Sequence, residues 1–170
     1  MLRGRHIGRY YIHNDSDEYV DEGFLPDKVH ANSKNTYLVG QEITGTVDEW
    51  RLHFALTEHD YKFLFGHTSN KILLKDQALN EYVLGVINSK FEDWFYRKTS
   101  TNNHVMGYEL KQLPIVDASP EIVAQITDNV KTIQRLAKDG QDIEDLRKVI
   151  DNAIYKAYGF SESEISLIEA

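Results

Sequence analysis

The sequence contains no cysteine, few methionines and prolines, and no apolar run long enough to span a membrane. Without cysteine, disulfide scaffolds, thiolate zinc sites, iron–sulfur clusters and cysteine nucleophiles are excluded, and a reducing cytoplasm is the expected location. The basic start of the chain leads into polar residues and not into the apolar stretch of a secretion signal. We therefore expect a cytoplasmic protein without a membrane partner.

Positive charge is also scarce. The chain has 19 Lys and Arg against 27 Asp and Glu, a formal charge of -8, which argues against indiscriminate binding of polyanions. The charge is uneven, because residues 1–13 carry arginines and no acid, whereas residues 14–27 carry acids and neither Lys nor Arg. Any anion-binding surface must therefore be local.

Catalytic motifs are scarce as well. The sequence has no phosphate-binding glycine loop, dinucleotide fingerprint, nucleophile elbow or histidine pair at helical metal-site spacing. One short pattern fits a metal-dependent nuclease, in which Asp27 and Asp60 would hold a divalent ion and Lys62 would polarise the attacking water. Such short patterns arise easily by chance in an acidic chain, so the nuclease is kept only as an alternative.

The first half of the chain predicts a sheet. At 170 residues the chain is long enough to bury a core without a staple. Short strand-like segments, separated by turn-forming residues, run over 9–13, 28–31, 36–39, 41–44, 51–56, 61–65 and 71–75. This pattern indicates a curved, mostly antiparallel sheet.

From Asp76 the apolar period becomes helical and predicts one long supporting helix to about Lys98. A C-terminal antiparallel helix pair should follow, the first helix capped by Ser119 and the second ended by Gly159, with a short last helix after it. Together these elements define an α+β protein with a target domain at 1–115 and a helical appendage at 116–170. Within the long helix, Asn88 and Ser89 lie beside the apolar stripe, so we expect them to satisfy backbone groups of adjoining loops and not to contact DNA.

Polar loops offer the remaining chemistry. The segment 97–104 carries two cations, hydroxyls and amides without an acid, and such groups can pair with base edges. The turn at 67–70 has a similar composition. These residue types are also ordinary turn formers, so composition leaves both interpretations open. Trp50 could stack on a base.

Four stretches of this sequence resemble the TaqI-like C-terminal specificity domain, the target-recognition part of adenine-specific DNA methyltransferases and type IIG restriction-modification enzymes. They are LRGRHIGRYY at the start, PDKVHANSKNTYLVGQEITG from Pro26, YVLGVINSKFEDWFYRKTS from Tyr82 and KQLPI from Lys111. The helices after Pro114 resemble the spacer helices of type I specificity subunits. The resemblance implies double-stranded DNA as a partner, and a fragment or separate subunit that works beside an upstream methyltransferase domain. In such enzymes that domain holds S-adenosylmethionine and the Asn-Pro-Pro-Tyr motif, so no catalytic residue, cofactor or metal is expected in this chain.

The candidate DNA-binding residues combine local cations with polar loop side chains. They are Arg3, Arg5, Lys34, Gln41, Thr44, His67, Ser69, Asn70, Arg97, Lys98, Thr99, Ser100, Asn102, Asn103 and His104. A rival hypothesis from a different class is a subunit-interaction module that never touches DNA, in which the apolar seam of residues 143–157 joins subunits.

Overall fold

The computed structural model describes residues 1–13, 21, 23, 34–59 and 64–170. These residues form an α+β fold with one three-stranded antiparallel sheet, in the order β2-β1-β3. The strands are β1 (Leu38–Gln41), β2 (Phe54–Leu56) and β3 (Ser69–Ile72). The helices are α1 (Asn80–Ile87), α2 (Lys90–Thr99), α3 (Gly107–Leu110), α4 (Pro120–Lys138), α5 (Glu144–Tyr158) and α6 (Glu162–Glu169), with short 3-10 turns at Gly4–His6 and Gln77–Leu79.

The sheet is smaller than the sequence predicts. The segments 36–39 and 41–44 form the single strand β1 followed by an isolated bridge at Ile43, and segment 51–56 forms a strand only over its last three residues. Segment 9–13 is not a strand of the sheet: Ile12 forms an isolated bridge with Ile7, and the N–H of Tyr10, whose φ is 75°, donates to the carbonyl of Phe54 at 2.7 Å. The predicted strand at 28–31 and most of that at 61–65 lie outside the described residues.

The long helix predicted for 76–98 is wrong as one element, because it breaks at Asn88 and Ser89. The Ser89 hydroxyl accepts a hydrogen bond from the backbone N–H of Glu92 at 3.1 Å, which caps a new helix start. The Asn88 side chain makes two hydrogen bonds to Phe54, accepting from its N–H at 3.0 Å and donating to its carbonyl at 2.8 Å. The prediction that both residues satisfy backbone groups is confirmed, but their partners lie in β2 and in the helix that Ser89 caps and not in adjoining loops.

The sheet separates two apolar layers, as the alternation of strand residues requires. Leu38 and Phe54 face the main core, which the helices cover, whereas Val39 and Ala55 face a smaller cluster with Leu2. Strand β1 therefore lies between the helices on one side and the N-terminal segment on the other.

The C-terminal helices belong to the main core. Buried side chains from α4, α5 and α6 pack in the same cluster as those of α1 and of β1. Gly85 allows this contact, because a Cβ atom there would lie 2.5 Å from the Cγ2 of Ile126. Helix α4 begins directly after Ser119 and α5 ends at Gly159 with φ 71°, as the sequence predicts. None of the helices in the described ranges is both long and apolar enough to cross a bilayer.

Candidate nucleic-acid interface

Three segments with candidate residues meet at the end of β1. The backbone N–H of Glu42 donates to the carbonyl of Thr68 at 3.0 Å, and its carbonyl accepts from the N–H of Val105 at 2.6 Å. Two residues further along the chain, the N–H of Thr44 donates to the carbonyl of Asn103 at 3.0 Å. The chain after β1 therefore lies between the turn at 66–70 and the loop that follows α2.

The N-terminal segment adds its arginines to the same region. The N–H of Gly4 donates to the Thr68 hydroxyl at 3.1 Å, and the N–H of Gly66 donates to the Leu2 carbonyl at 2.7 Å. A Cβ atom at Gly4 would lie 2.5 Å from the Thr68 carbonyl oxygen, so this close approach requires glycine. Arg3 and Arg5 flank that contact. We call the surface formed by residues 3–5, 41–49, 66–70 and 100–104 the loop surface.

Several candidate side chains on the loop surface bind the protein's own backbone. The amide of Gln41 donates to the Ile7 carbonyl at 2.6 Å, and that of Asn70 donates to the Val105 carbonyl at 2.7 Å. The Ser69 hydroxyl donates to the Gly66 carbonyl at 2.8 Å. These groups hold adjacent segments together, which reduces the hydrogen-bonding capacity that they could offer to a base edge.

The tip of the loop at 100–104 is exposed and polar. Thr101, Asn102 and Asn103 are exposed, and His67 is exposed on the neighbouring turn. The Asn102 side-chain oxygen accepts from the N–H of His104 at 3.0 Å, a hydrogen bond that fixes the turn. The ring nitrogen Nδ1 of His104 lies 3.6 Å from the carboxylate of Glu42.

The structure moves the boundary of this loop. Helix α2 continues to Thr99, so Arg97, Lys98 and Thr99 are helical, and the loop begins at Ser100, which is buried. The Thr99 hydroxyl donates within α2, to the carbonyls of Phe95 and Tyr96, while Lys98 is exposed.

Arg97 points into the β1–β2 connection. Its guanidinium donates to the carbonyls of Thr46 at 3.3 Å, Asp48 at 2.7 Å and Glu49 at 3.0 Å. Its Nε also pairs with the Asp93 carboxylate at 2.6 Å. The geometry indicates that Arg97 is a positioning residue for residues 45–49, because each of its three guanidinium nitrogens already donates to the protein.

The sequence did not indicate the role of Arg51, a buried residue that supports the loops at 41–49 and 100–104 from the interior. Arg51 is 2% exposed; its Nε donates to the Thr44 hydroxyl at 3.1 Å and its terminal nitrogen donates to the Asn102 carbonyl. The Asp93 carboxylate accepts from the backbone N–H groups of Arg51 at 2.6 Å and of Leu52 at 2.9 Å.

We call Asp93, Arg51 and Arg97 the Asp93 network. It fixes the loops at 45–49 and 100–104 relative to one another. The spacing of Asp93 and Arg97 at i, i+4 was a signal for their pairing, whereas nothing local marks Arg51 as buried.

The remaining candidate residues lie elsewhere. Lys34 is exposed and precedes β1 at the end opposite Gln41, so it is not brought together with the loop surface. The guanidinium groups of Arg9 and Arg147 lie over the ring of Trp50, at 3.8 and 4.4 Å from its centroid. The ring that could have stacked on a base therefore takes part in intramolecular cation–π contacts.

The nuclease alternative falls on Asp27, Asp60 and Lys62, which lie outside the described residues. Among the residues that are described, no cluster of histidines and carboxylates is suited to hold a metal ion. The loop surface combines hydroxyls, amides, histidines and two arginines with the acids Glu42, Asp48 and Glu49 and the apolar Val47, and these groups can bind and position a ligand.

Comparison with known proteins agrees with this arrangement. The family model of the TaqI-like C-terminal specificity domain matches residues 1–115, which is more than half of the chain, so the chain belongs to that family. The family is a DNA-recognition module of methyltransferase and restriction systems, and it supplies specificity and not catalysis. No curated protein matches the chain at the required significance.

Proposed function

We propose that this chain reads the sequence of double-stranded DNA through the loop surface and holds the target for a separate adenine-specific methyltransferase domain. That domain, on the same protein or on a partner subunit, would bind S-adenosylmethionine, and this chain would contribute no catalytic group. The cysteine-free composition suits work in the cytoplasm. The observation that carries the proposal is the convergence of the loops at 41–49, 66–70 and 100–104, in a chain of the specificity-domain family.

The loop surface offers cations that can contact phosphates and amides that can contact bases. Arg3 and Arg5 are the neighbours of Gly4, which contacts the turn at 66–70, and they can neutralise phosphates, while exposed Asn102 and Asn103 can pair with base edges. With a formal charge of -8 on the chain, only local cations can contribute phosphate contacts. Binding should therefore be weak and steeply dependent on salt.

Asn103→Ala provides the sharpest test of base reading. Asn103 is exposed and holds Thr44 through its backbone carbonyl, so alanine leaves the loop intact. Binding of the 170-residue chain to a randomised duplex library should show a preferred site, and the variant should lose about 1 to 3 kcal/mol of discrimination at one base position. Affinity for unrelated duplexes should hardly change.

Asn129→Ala is the matched control, because Asn129 is a half-buried asparagine on α4 whose amide donates to the Gln125 carbonyl, away from the loop surface. It should keep the wild-type preference. An Asn103→Ala profile identical to wild type would remove the 100–104 loop from the recognition surface. Failure of the wild-type chain to bind any duplex at low salt would instead favour a subunit-interaction module, on a surface other than the predicted seam, because Ile150 and Ala153 are buried in the chain's own core.

A further inference from the structure

Val47 is the most exposed of the large apolar residues in the described part of the chain. Its side chain is 93% exposed, at the tip of the connection between β1 and β2. Nearby Ile43 is 47% exposed. An isolated exposed valine is unremarkable on a surface, so its significance depends on how the loop holds it.

The Val47 loop is held by hydrogen bonds on both sides of the valine. The N–H of Gly45 donates to the Asp48 carboxylate at 2.7 Å, and the N–H of Asp48 donates back to the Gly45 carbonyl at 3.2 Å. Arg97 donates to three carbonyls of the same loop and is itself anchored by Asp93. The backbone on either side of Val47 is therefore preorganised while its side chain contacts little of the protein.

The charges around Val47 determine which part of a duplex it could meet. Asp48 and Glu49 are exposed next to it, and their carboxylates would repel the phosphate backbone. Carboxylates do accept hydrogen bonds from the amino group of cytosine in the major groove. The loop also continues directly from Thr44, which is joined to the exposed loop at Asn103. This combination of an apolar tip and flanking acids fits base edges better than phosphates.

We propose that Val47 is a specificity-determining residue that contacts the 5-methyl group of a thymine in the major groove. The inference rests on the proposed function, since it requires that the loop surface binds duplex DNA. The thymine methyl is the apolar group that the major groove presents, and aliphatic side chains recognise it. Val47 would supply this apolar contact, while the amides of the loop at 100–104 would pair with the hydrogen-bonding groups of the bases.

Deoxyuridine tests the contact, because it differs from thymidine only by lacking the 5-methyl group. The preferred duplex of the wild-type chain is first selected from a random library, and each of its thymines is then replaced singly by deoxyuridine. At one position the wild-type chain should lose about fourfold in affinity, the factor for one buried methyl group. Val47→Ser should bind the thymine and deoxyuridine duplexes equally at that position. Val149→Ser, a control on α5, should keep the full methyl dependence.

The outcomes separate this inference from the function on which it rests. A wild-type chain that selects no sequence overturns the proposed function. A selected site at which no thymine shows methyl dependence overturns the Val47 contact and leaves sequence reading intact. Methyl dependence that persists in Val47→Ser also overturns it, and would assign the exposed valine to a protein partner such as the methyltransferase domain.

Discussion

Glu92 is a carboxyl group in an unusual place, fully buried between α2 and α5. The Tyr158 hydroxyl lies 3.3 Å from its Oε1 and also contacts the carbonyl of Pro114. Burial raises the pKa of Glu92 to about 8, so the group is neutral at pH 7. A neutral Glu92 can donate from Oε1 to Tyr158 while Tyr158 donates to Pro114, whereas the second carboxyl oxygen of Glu92, Oε2, is buried without a hydrogen-bond partner among the described residues.

Glu92 should make the protein less stable as the pH rises. In the unfolded chain its pKa returns to the ordinary value of 4.5, so between pH 4.5 and about 8 the folded state holds a proton that the unfolded state has lost. The free energy of unfolding therefore falls with pH across this window. Glu92→Gln carries no such proton, and we expect it to be more stable than wild type by about 1 to 3 kcal/mol at pH 8, with little difference at pH 5.

Urea unfolding of both proteins at a series of pH values measures the effect. The quantity to compare is the difference between the two proteins, because burial also raises the pKa of Asp151 to about 6 and contributes equally to both curves. Parallel curves for wild type and Glu92→Gln would show that Glu92 ionises normally in the folded protein.

The role of a residue could be predicted from the sequence where its interaction partner lies close by in the same local pattern. Asn88 and Ser89 lie beside an apolar stripe, and that position was sufficient to predict their structural role. Arg51 lies in a stretch of ordinary strand composition, and its burial arises from Tyr96 and from the loop at 100–104, both distant in the sequence. Arg97 is a DNA-binding candidate because of its charge, and its intramolecular partners could not be predicted because they are carbonyls about fifty positions away.

At the scale of elements, the period of the apolar residues predicted which segments are helical. It did not predict where a helix is interrupted. Ile87 and Phe91 keep the i, i+4 spacing across the break, so the period of α1 and α2 appears continuous. Ser89 followed by Glu92 is the residue pattern of a helix start, and this was the signal for the break. The short strands could not be delimited, because their ends depend on pairing with partners far along the chain.

The packing of α1 on α4 depends on Gly85. Alanine there would bring a Cβ atom to 2.5 Å from Ile126 and 3.0 Å from Val130, so the helices would have to separate. We expect Gly85→Ala to lower the free energy of unfolding by about 1 to 3 kcal/mol, although alanine favours helix. Gly107→Ala is the matched control at the start of α3, where a Cβ atom meets nothing within 4 Å. Equal stability of both variants would show that the contact relaxes without cost.

At the scale of the whole molecule, residues 1–115 and 116–170 share one core. Ile126, Ile133, Ile150 and Ile154 are fully buried, and they pack in the cluster that contains Leu84 of α1. Removal of α4 to α6 would expose this face of α1 to water. The C-terminal helices therefore help to form the support beneath the loop surface.

A chain ending at Ala118 should consequently fail to fold cooperatively. We expect it to lose the sigmoidal urea transition of the 170-residue protein and to bind a hydrophobic dye, both measurable with purified protein. A chain ending at Ser161 is the control, since it lacks only α6 and the burial of Ile168. It should unfold cooperatively at lower urea. A cooperative transition in the shorter chain would make the family-matched region an independent folding unit.

The Asp93 network has a consequence for how such a protein can change over evolutionary time. Its arginines hold the two loops mainly through backbone carbonyls, which every residue type provides. The side chains at Val47 and Asn103 can thus be exchanged while the scaffold that presents them persists. New target preferences can arise through substitutions at a few surface positions, while selection for stability acts separately on the interior.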